Sequence, residues 1–153
     1  MLRPLVAALV AAAAVLAGGC GGSSAPTMEE FGPSVVSARN RVDFALTRIT
    51  RAQSKDDLLE RMDEAADAID DAVRDLEEVG APERLETDLG ALVDSLGQLA
   101  FDVRATADQI RQPGFSDLLV GTKGLSFESW DAVNRALAAL DAQGIEVAPL
   151  ARH

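Results

Sequence analysis

Few residues in this chain are equipped for chemistry, and they lie far apart. Cys20 is the single cysteine and His153, the last residue, the single histidine. One cysteine excludes an intramolecular disulfide framework and a Cys-rich zinc site. One histidine excludes every multi-histidine metal site and argues against a Ser-His-Asp triad. No Gly-rich phosphate loop and no Gly-x-Ser-x-Gly elbow occurs, and no inward Glu-x-x-His pair supplies the ligands of a di-iron bundle. No catalytic constellation is found and no cofactor or metal is implied, so the expectation is a protein that is not an enzyme.

Charge is the strongest remaining signal. The 153 residues carry 14 basic and 25 acidic side chains, a formal net charge of −11. That balance argues against nucleic-acid binding, which needs clustered Lys and Arg. The charge is uneven along the chain. Residues 34–55 hold Arg39, Arg41, Arg48, Arg51 and Lys55 against Asp43, a net +4. Residues 56–79 hold eleven acids against Arg61 and Arg74, a net −9. Asp63, Asp67, Asp71 and Asp75 recur every fourth residue, a spacing that is mildly destabilising in an isolated helix. One reading is a solvated face whose repulsion is partly offset by arginines of a neighbouring helix. The other is a surface for divalent cations or a basic partner. An Asp-rich calcium loop with its glycine and closing Glu is absent from the sequence, which counts against a tight calcium site.

A second constellation is apolar. Trp130 is the only tryptophan and falls on the apolar stripe of a helix. Gly90 and Gly97 lie seven apart on another helix, in line with Arg104. A helical glycine costs up to about 1 kcal/mol relative to alanine. Close approach of a neighbour, or room for Trp130 or Phe127, would offset that cost. Gly90, Gly97 and Trp130 are therefore the candidate lining of a ligand crevice, next to the reading of Trp130 as a core anchor.

The elements that position these residues are helices almost throughout. Val35, Ala38, Val42, Ala45, Ile49 and Ala52 recur at three- and four-residue steps and predict a helix from about Pro33 to Ala52. Ser54 followed by Asp57 predicts an N-cap, with the second helix starting at Lys55. Its stripe runs through Leu58, Met62, Ala65, Ile69, Ala72 and Leu76 to Val79. Gly80 and Pro82 stop it and start a third helix, which Pro113-Gly114 closes. Residues 113–124 read as a loop. A fourth helix is expected from near Ser126 to Gln143, with Gly144 ending it and Ile145 to His153 as a tail. The fold class expected is all-α, an antiparallel up-down four-helix bundle spanning residues 33–153, with short links between the first three helices.

The N-terminus has a different character. Arg3 is the only charge in residues 1–19, and an apolar run extends from Leu5 to Ala17 before Gly18, Gly19 and Cys20. This is the layout of a secretory signal peptide. Thirteen apolar residues are too few for a spanning helix, which needs about 20. Leu16-Ala17-Gly18-Gly19-Cys20 resembles the lipobox of bacterial lipoproteins. Gly19 matches the small residue before the cysteine, while Ala17 stands where the family favours Leu, Val or Ile. The resemblance implies that residues 1–19 are removed, that Cys20 carries a diacylglyceryl group, and that it becomes the N-terminus. Residues 20–32, opening Cys-Gly-Gly-Ser-Ser, would then be a flexible tether with an r.m.s. reach on the order of 20 Å. Twelve of the 14 basic residues are Arg and 27 residues are Ala. With Trp130-Asp131-Ala132-Val133-Asn134 leading the last helix, the body looks like the small helical domains of actinobacterial-type lipoproteins.

The resemblance and the charge pattern together lead to an expected function. The chain would be anchored through the lipid at Cys20 to the outer face of the cell membrane, outside the cytoplasm. There it would act as a structural or protein-interaction module, with a basic envelope protein as the candidate partner. The alternative is a carrier for a lipid or other small apolar ligand.

Overall fold

The computed structural model describes residues 25–114 and 126–151. Among these residues the protein is a helical bundle without strands. The elements are α1 (Met28–Ile49), α2 (Lys55–Val79), a 3-10 turn (Glu83–Leu85), α3 (Glu86–Arg111) and α4 (Trp130–Ala142). No described helix is long and apolar enough to cross a membrane.

α1 begins five residues before the expected Pro33. The cause is a capping interaction that outranks the proline signal: the Thr27 N–H and hydroxyl donate to the Glu30 carboxylate at 2.9 and 3.0 Å. The acid at the third helical position thus satisfies the backbone that precedes the helix. That bond to the backbone, followed by the one to the hydroxyl, holds the Glu30 carboxyl below its usual pKa. Phe31, fully buried, anchors the extra turn in the core. Residues 28–32 therefore belong to the helix and not to the tether.

α2 starts where expected, with the Asp57 N–H donating to Ser54 Oγ at 3.1 Å. Gly80 ends it at φ +69°, its N–H donating to the Leu76 carbonyl at 3.0 Å. Between Pro82 and α3 the chain makes one 3-10 turn, in which the Leu85 N–H reaches the Pro82 carbonyl at 2.7 Å. α4 is shorter than the sequence pattern indicates, because residues up to Ser129 form a turn ahead of it. The described part of the 113–124 stretch is Pro113-Gly114; the rest of that expected loop lies outside the described residues.

The apolar stripes of all four helices meet in one core, with Val42, Met62, Ile69, Leu99, Val103 and Leu140 completely covered. α1 packs on α2, α2 on α3, and α3 on α4, whereas α1 and α4 make no comparable contact. The open seam between them is closed by the C-terminal segment. The Gly144 N–H donates to the Asp141 carbonyl at 2.9 Å and the Ile145 N–H to Leu140 at 3.2 Å. With Gly144 at φ +96°, this is a Schellman ending that turns the chain back on the bundle. Ile145, Val147 and Leu150 are then buried at 3%, 7% and 3% exposure. The expected tail is a fifth packing element.

Candidate functional site

α2 presents its acids to arginines on both sides. From α1, Arg41 pairs with Asp75 at 2.6 Å and Arg48 with Glu64 at 2.9 Å. From α3, Arg104 reaches Asp70 at 2.6 Å and Asp67 at 3.0 Å, and Arg111 reaches Asp63 at 2.5 Å. Within α2, Arg61 pairs with Asp57 at 2.6 Å and Arg74 with Asp71 at 2.9 Å. The hydrogen bond to Asp70, more than that to Asp67, raises the Arg104 pKa above its ordinary value. Each such pair at a surface contributes at most about 1 kcal/mol. Together they neutralise most of the acid run. The α1 arginines follow from the sequence, whereas Arg104 stands out there only as lying in line with Gly90 and Gly97, and Arg111 does not stand out. The signal that identifies them is their seven-residue spacing, matched by Asp63 and Asp70 on α2.

This compensation stops short of the C-terminal end of α2. Glu77 and Glu78 lie in its last turn and form no ion pair among the described residues. Their position opposes the helix macrodipole, whose C-terminal end favours cations. Across from them, Glu86 and Asp94 of α3 likewise form no ion pair among the described residues. These acids rim an open groove of about 670 Å³. Val79, Ala81, Leu89 and Val93 supply its apolar floor, and Ala25 and Pro26 at the start of the described chain complete its wall. Val79, read from the sequence as a core position, is 37% exposed there. A second groove, of about 370 Å³, shares Glu78 and Val79 and continues along Pro33, Ser34 and Ser37 of α1. The two grooves together form an acid-rimmed, apolar-floored surface beside Ala25 and Pro26, where the described chain begins.

The three residues nominated as a ligand crevice do not share a described groove. Gly90 lines the end groove just described, whose acidic rim is a poor lining for an apolar ligand. A methyl group added at Gly90 or Gly97 would meet nothing within 4 Å. Neither glycine is therefore explained by a closely approaching neighbour. Trp130 is a packed residue with 7% exposure, its ring stacked on Phe127 at a centroid distance of 6.5 Å. Its indole Nε1–H is buried and has no acceptor among the described residues.

The turn before α4 is fixed by a carboxylate from α3. Asp102 Oδ2 accepts from the Ser129 hydroxyl at 2.7 Å and the Ser129 N–H at 3.2 Å, while Oδ1 accepts from Gln98 at 2.9 Å. Burial pushes the Asp102 pKa up, but the bonds from the Ser129 hydroxyl, Gln98 and the Ser129 N–H outweigh it and hold the carboxyl below its usual range. The arrangement is a cap supplied by another helix, placing negative charge at the positive end of α4.

Large apolar side chains also face solvent. Phe44 is 65% and Phe101 63% exposed. Phe44 stands over a 220 Å³ hollow floored by Ala45, Ala65 and Ala68, beside the ion-paired Arg48 and Arg61.

Among the described residues no group of three His, Cys, Asp or Glu side chains is placed to hold a metal ion. Cys20, the candidate lipidation site, and His153 lie outside the described residues, as do the candidate signal peptide 1–19 and most of the tether. No family model matches the chain, and neither a curated protein nor a solved structure matches it.

Proposed function

We propose that this chain is a lipid-anchored extracytoplasmic protein, held at the outer face of the cell membrane through Cys20, whose antiparallel up-down bundle serves as a structural or protein-interaction module for a basic envelope partner. The lipobox-like sequence ahead of Cys20 supports the anchor. The up-down arrangement is supported by the order of the ion pairs. As residue numbers rise along α1 from Arg41 to Arg48, their partners on α2 fall from Asp75 to Glu64. As they fall along α3 from Arg111 to Arg104, the partners on α2 rise from Asp63 to Asp70.

The observation that carries the interaction reading is the placement of Glu77 and Glu78. They sit at the wrong end of a helix dipole and without cationic partners among the described residues, on the rim of an apolar-floored groove. A basic, partly apolar segment would supply both the missing charge and the cover for Val79 and Val93. Because residues 28–32 are helical, the tether shortens to Cys20–Thr27. Eight residues of such coil have an r.m.s. reach of about 16 Å. The groove, walled by Ala25 and Pro26, would then stand close to the lipid headgroups, where a partner at the membrane surface meets it.

Two experiments test this reading. Cys20→Ala is expected to move the protein out of the membrane fraction and to abolish labelling by a fatty-acid analogue. Unchanged fractionation overturns the anchor. Photo-crosslinking in cells from position 90, on the same groove, is expected to recover a basic protein, with recovery falling when the Glu77→Gln/Glu78→Gln double substitution is added. Recovery that ignores the double substitution overturns the interaction face.

A further inference from the structure

The groove at the Glu77–Glu78 end has two acidic banks over an apolar floor. Glu77 and Glu78 line it from α2, Glu86 and Asp94 from α3, and Val79, Leu89 and Val93 form the floor. Glu86 and Asp94 stand eight residues apart on one helix, about 12 Å along its axis. The carbonyls of Glu77, Glu78 and Val79 accept no main-chain N–H among the described residues, so the end of α2 adds its own partial negative charge to the carboxylates. The end of α1 is treated differently: there Arg61 Nη1 donates to the Arg48 carbonyl at 3.2 Å. Arg84, the one basic residue between α2 and α3, lines neither of the two grooves at this end and forms no ion pair among the described residues.

The form of an occupant follows from what the groove can bond. Where this bundle holds an extended segment, in the seam between α1 and α4, its side chains answer both kinds of main-chain group. Asn134 Oδ1 accepts from the Leu150 N–H at 2.7 Å and Asp43 Oδ1 from the Ala151 N–H at 2.9 Å, while Arg39 donates to the Ala148 and Pro149 carbonyls. The end groove has no side-chain donor at all: its polar side chains are carboxylates, which only accept. An extended occupant would leave its carbonyls unmatched there, and its period of two would turn alternate side chains away from the groove. A helix arrives with its main-chain groups already bonded to one another. Its period also sets an apolar stripe between two flanking rows, so that the stripe covers the floor while cations on the flanks meet both banks.

We propose that the end groove takes an amphipathic helix of the partner, with its apolar stripe over Val79 and Val93 and with Lys or Arg on both flanks against Glu77–Glu78 and Glu86–Asp94. A partner of this form deepens the interaction reading above and rests on it.

Three synthetic peptides of about 18 residues, long enough for a helix, are titrated into the full chain at about 0.15 M salt. The first carries leucines at helical spacing with lysines on both flanks. The second has the same composition with leucine and lysine alternating, and the third replaces every lysine of the first by glutamate. The first should bind at least about tenfold more tightly than either of the others and gain helicity on binding, read by circular dichroism. Glu77→Gln/Glu78→Gln and Glu86→Gln/Asp94→Asn should each weaken it about tenfold, and Val79→Ser about fivefold. Phe44→Ser, at a separate exposed apolar site, should leave it unchanged. Equal affinity for the alternating peptide overturns the helix and leaves the acidic face to a partner of another form. Indifference to Glu86→Gln/Asp94→Asn overturns the two-banked fit. No saturable binding of the first peptide up to roughly millimolar, or equal weakening by Phe44→Ser, overturns the groove as its site. Crosslinking in cells from position 90 decides the interaction reading independently of these peptides, so either can fail alone.

Discussion

The carboxylate of Asp102, on α3, accepts hydrogen bonds from both the hydroxyl and the backbone N–H of Ser129, the residue preceding α4. These bonds couple the interior of α3 to the start of α4 across 27 residues of sequence. Asp102→Ala is expected to lower stability by about 1–2 kcal/mol, the usual cost of losing a helix cap. Urea unfolding of the variant measures it, and a change below a few tenths would show that the cap is dispensable.

The same carboxylate makes stability depend on pH. Its folded pKa lies below its ordinary value. The stabilisation is therefore fully present above the unfolded pKa and is lost as pH falls through the folded one. The stability gap between the unmodified protein and Asp102→Ala should narrow as acid is added below the ordinary Asp value. A gap that stays constant down to the acid unfolding limit would sink this assignment.

Gly90 and Gly97 offer a gain in stability. Both are exposed helical positions where an added methyl meets nothing. Gly90→Ala and Gly97→Ala should each stabilise the domain by up to about 1 kcal/mol, since alanine loses less backbone entropy in a helix. Thermal melts will show it. A loss of stability at either position would restore the idea that a close neighbour needs the glycine.

The ion pairs between α2 and α3 should be visible as a salt effect. Arg104→Ala removes the partner of both Asp67 and Asp70. The expected cost is about 0.5–1 kcal/mol at low ionic strength, shrinking in 1 M salt as screening grows. A cost that salt does not change would point to lost packing of the Arg104 stem.

At the acidic end, stability and function should move in opposite directions. Glu77→Gln/Glu78→Gln relieves two charges at the C-terminus of α2 and should raise stability by a few tenths to about 1 kcal/mol. The same double variant should weaken capture of a basic partner. Falling stability would show that these acids have a structural partner.

The helices themselves were legible in the sequence because apolar periodicity and capping chemistry are local. Ser54 and Asp57 mark the start of α2, and Gly80 marks its end, since each acts within one turn of its own backbone. Even the early start of α1 is written in Thr27 and Glu30, where a capping pair outweighs the pull of Pro33. The charge imbalance of α2 was equally plain, as was its partial offset by Arg41 and Arg48 of the adjacent helix.

What the tertiary structure alone decided are relations between segments distant in the chain. Arg104 and Arg111 become partners of Asp63, Asp67 and Asp70 only when α3 is laid beside α2. Most of the acid run thereby becomes paired, leaving Asp56 and Glu60 near the start of α2 and Glu77 and Glu78 at its end without an ion pair among the described residues. Gly90, Gly97 and Trp130 share no described groove, because the rotation of α3 turns both glycines to solvent and that of α4 turns Trp130 into the core. The segment Ile145–Ala151 carries no helical or strand period, so its sequence marks it only as a tail. Its place depends on a gap between α1 and α4, and on Arg39, Asp43 and Asn134 meeting there. Periodicity determines which face of a helix is buried; only packing determines what that face meets.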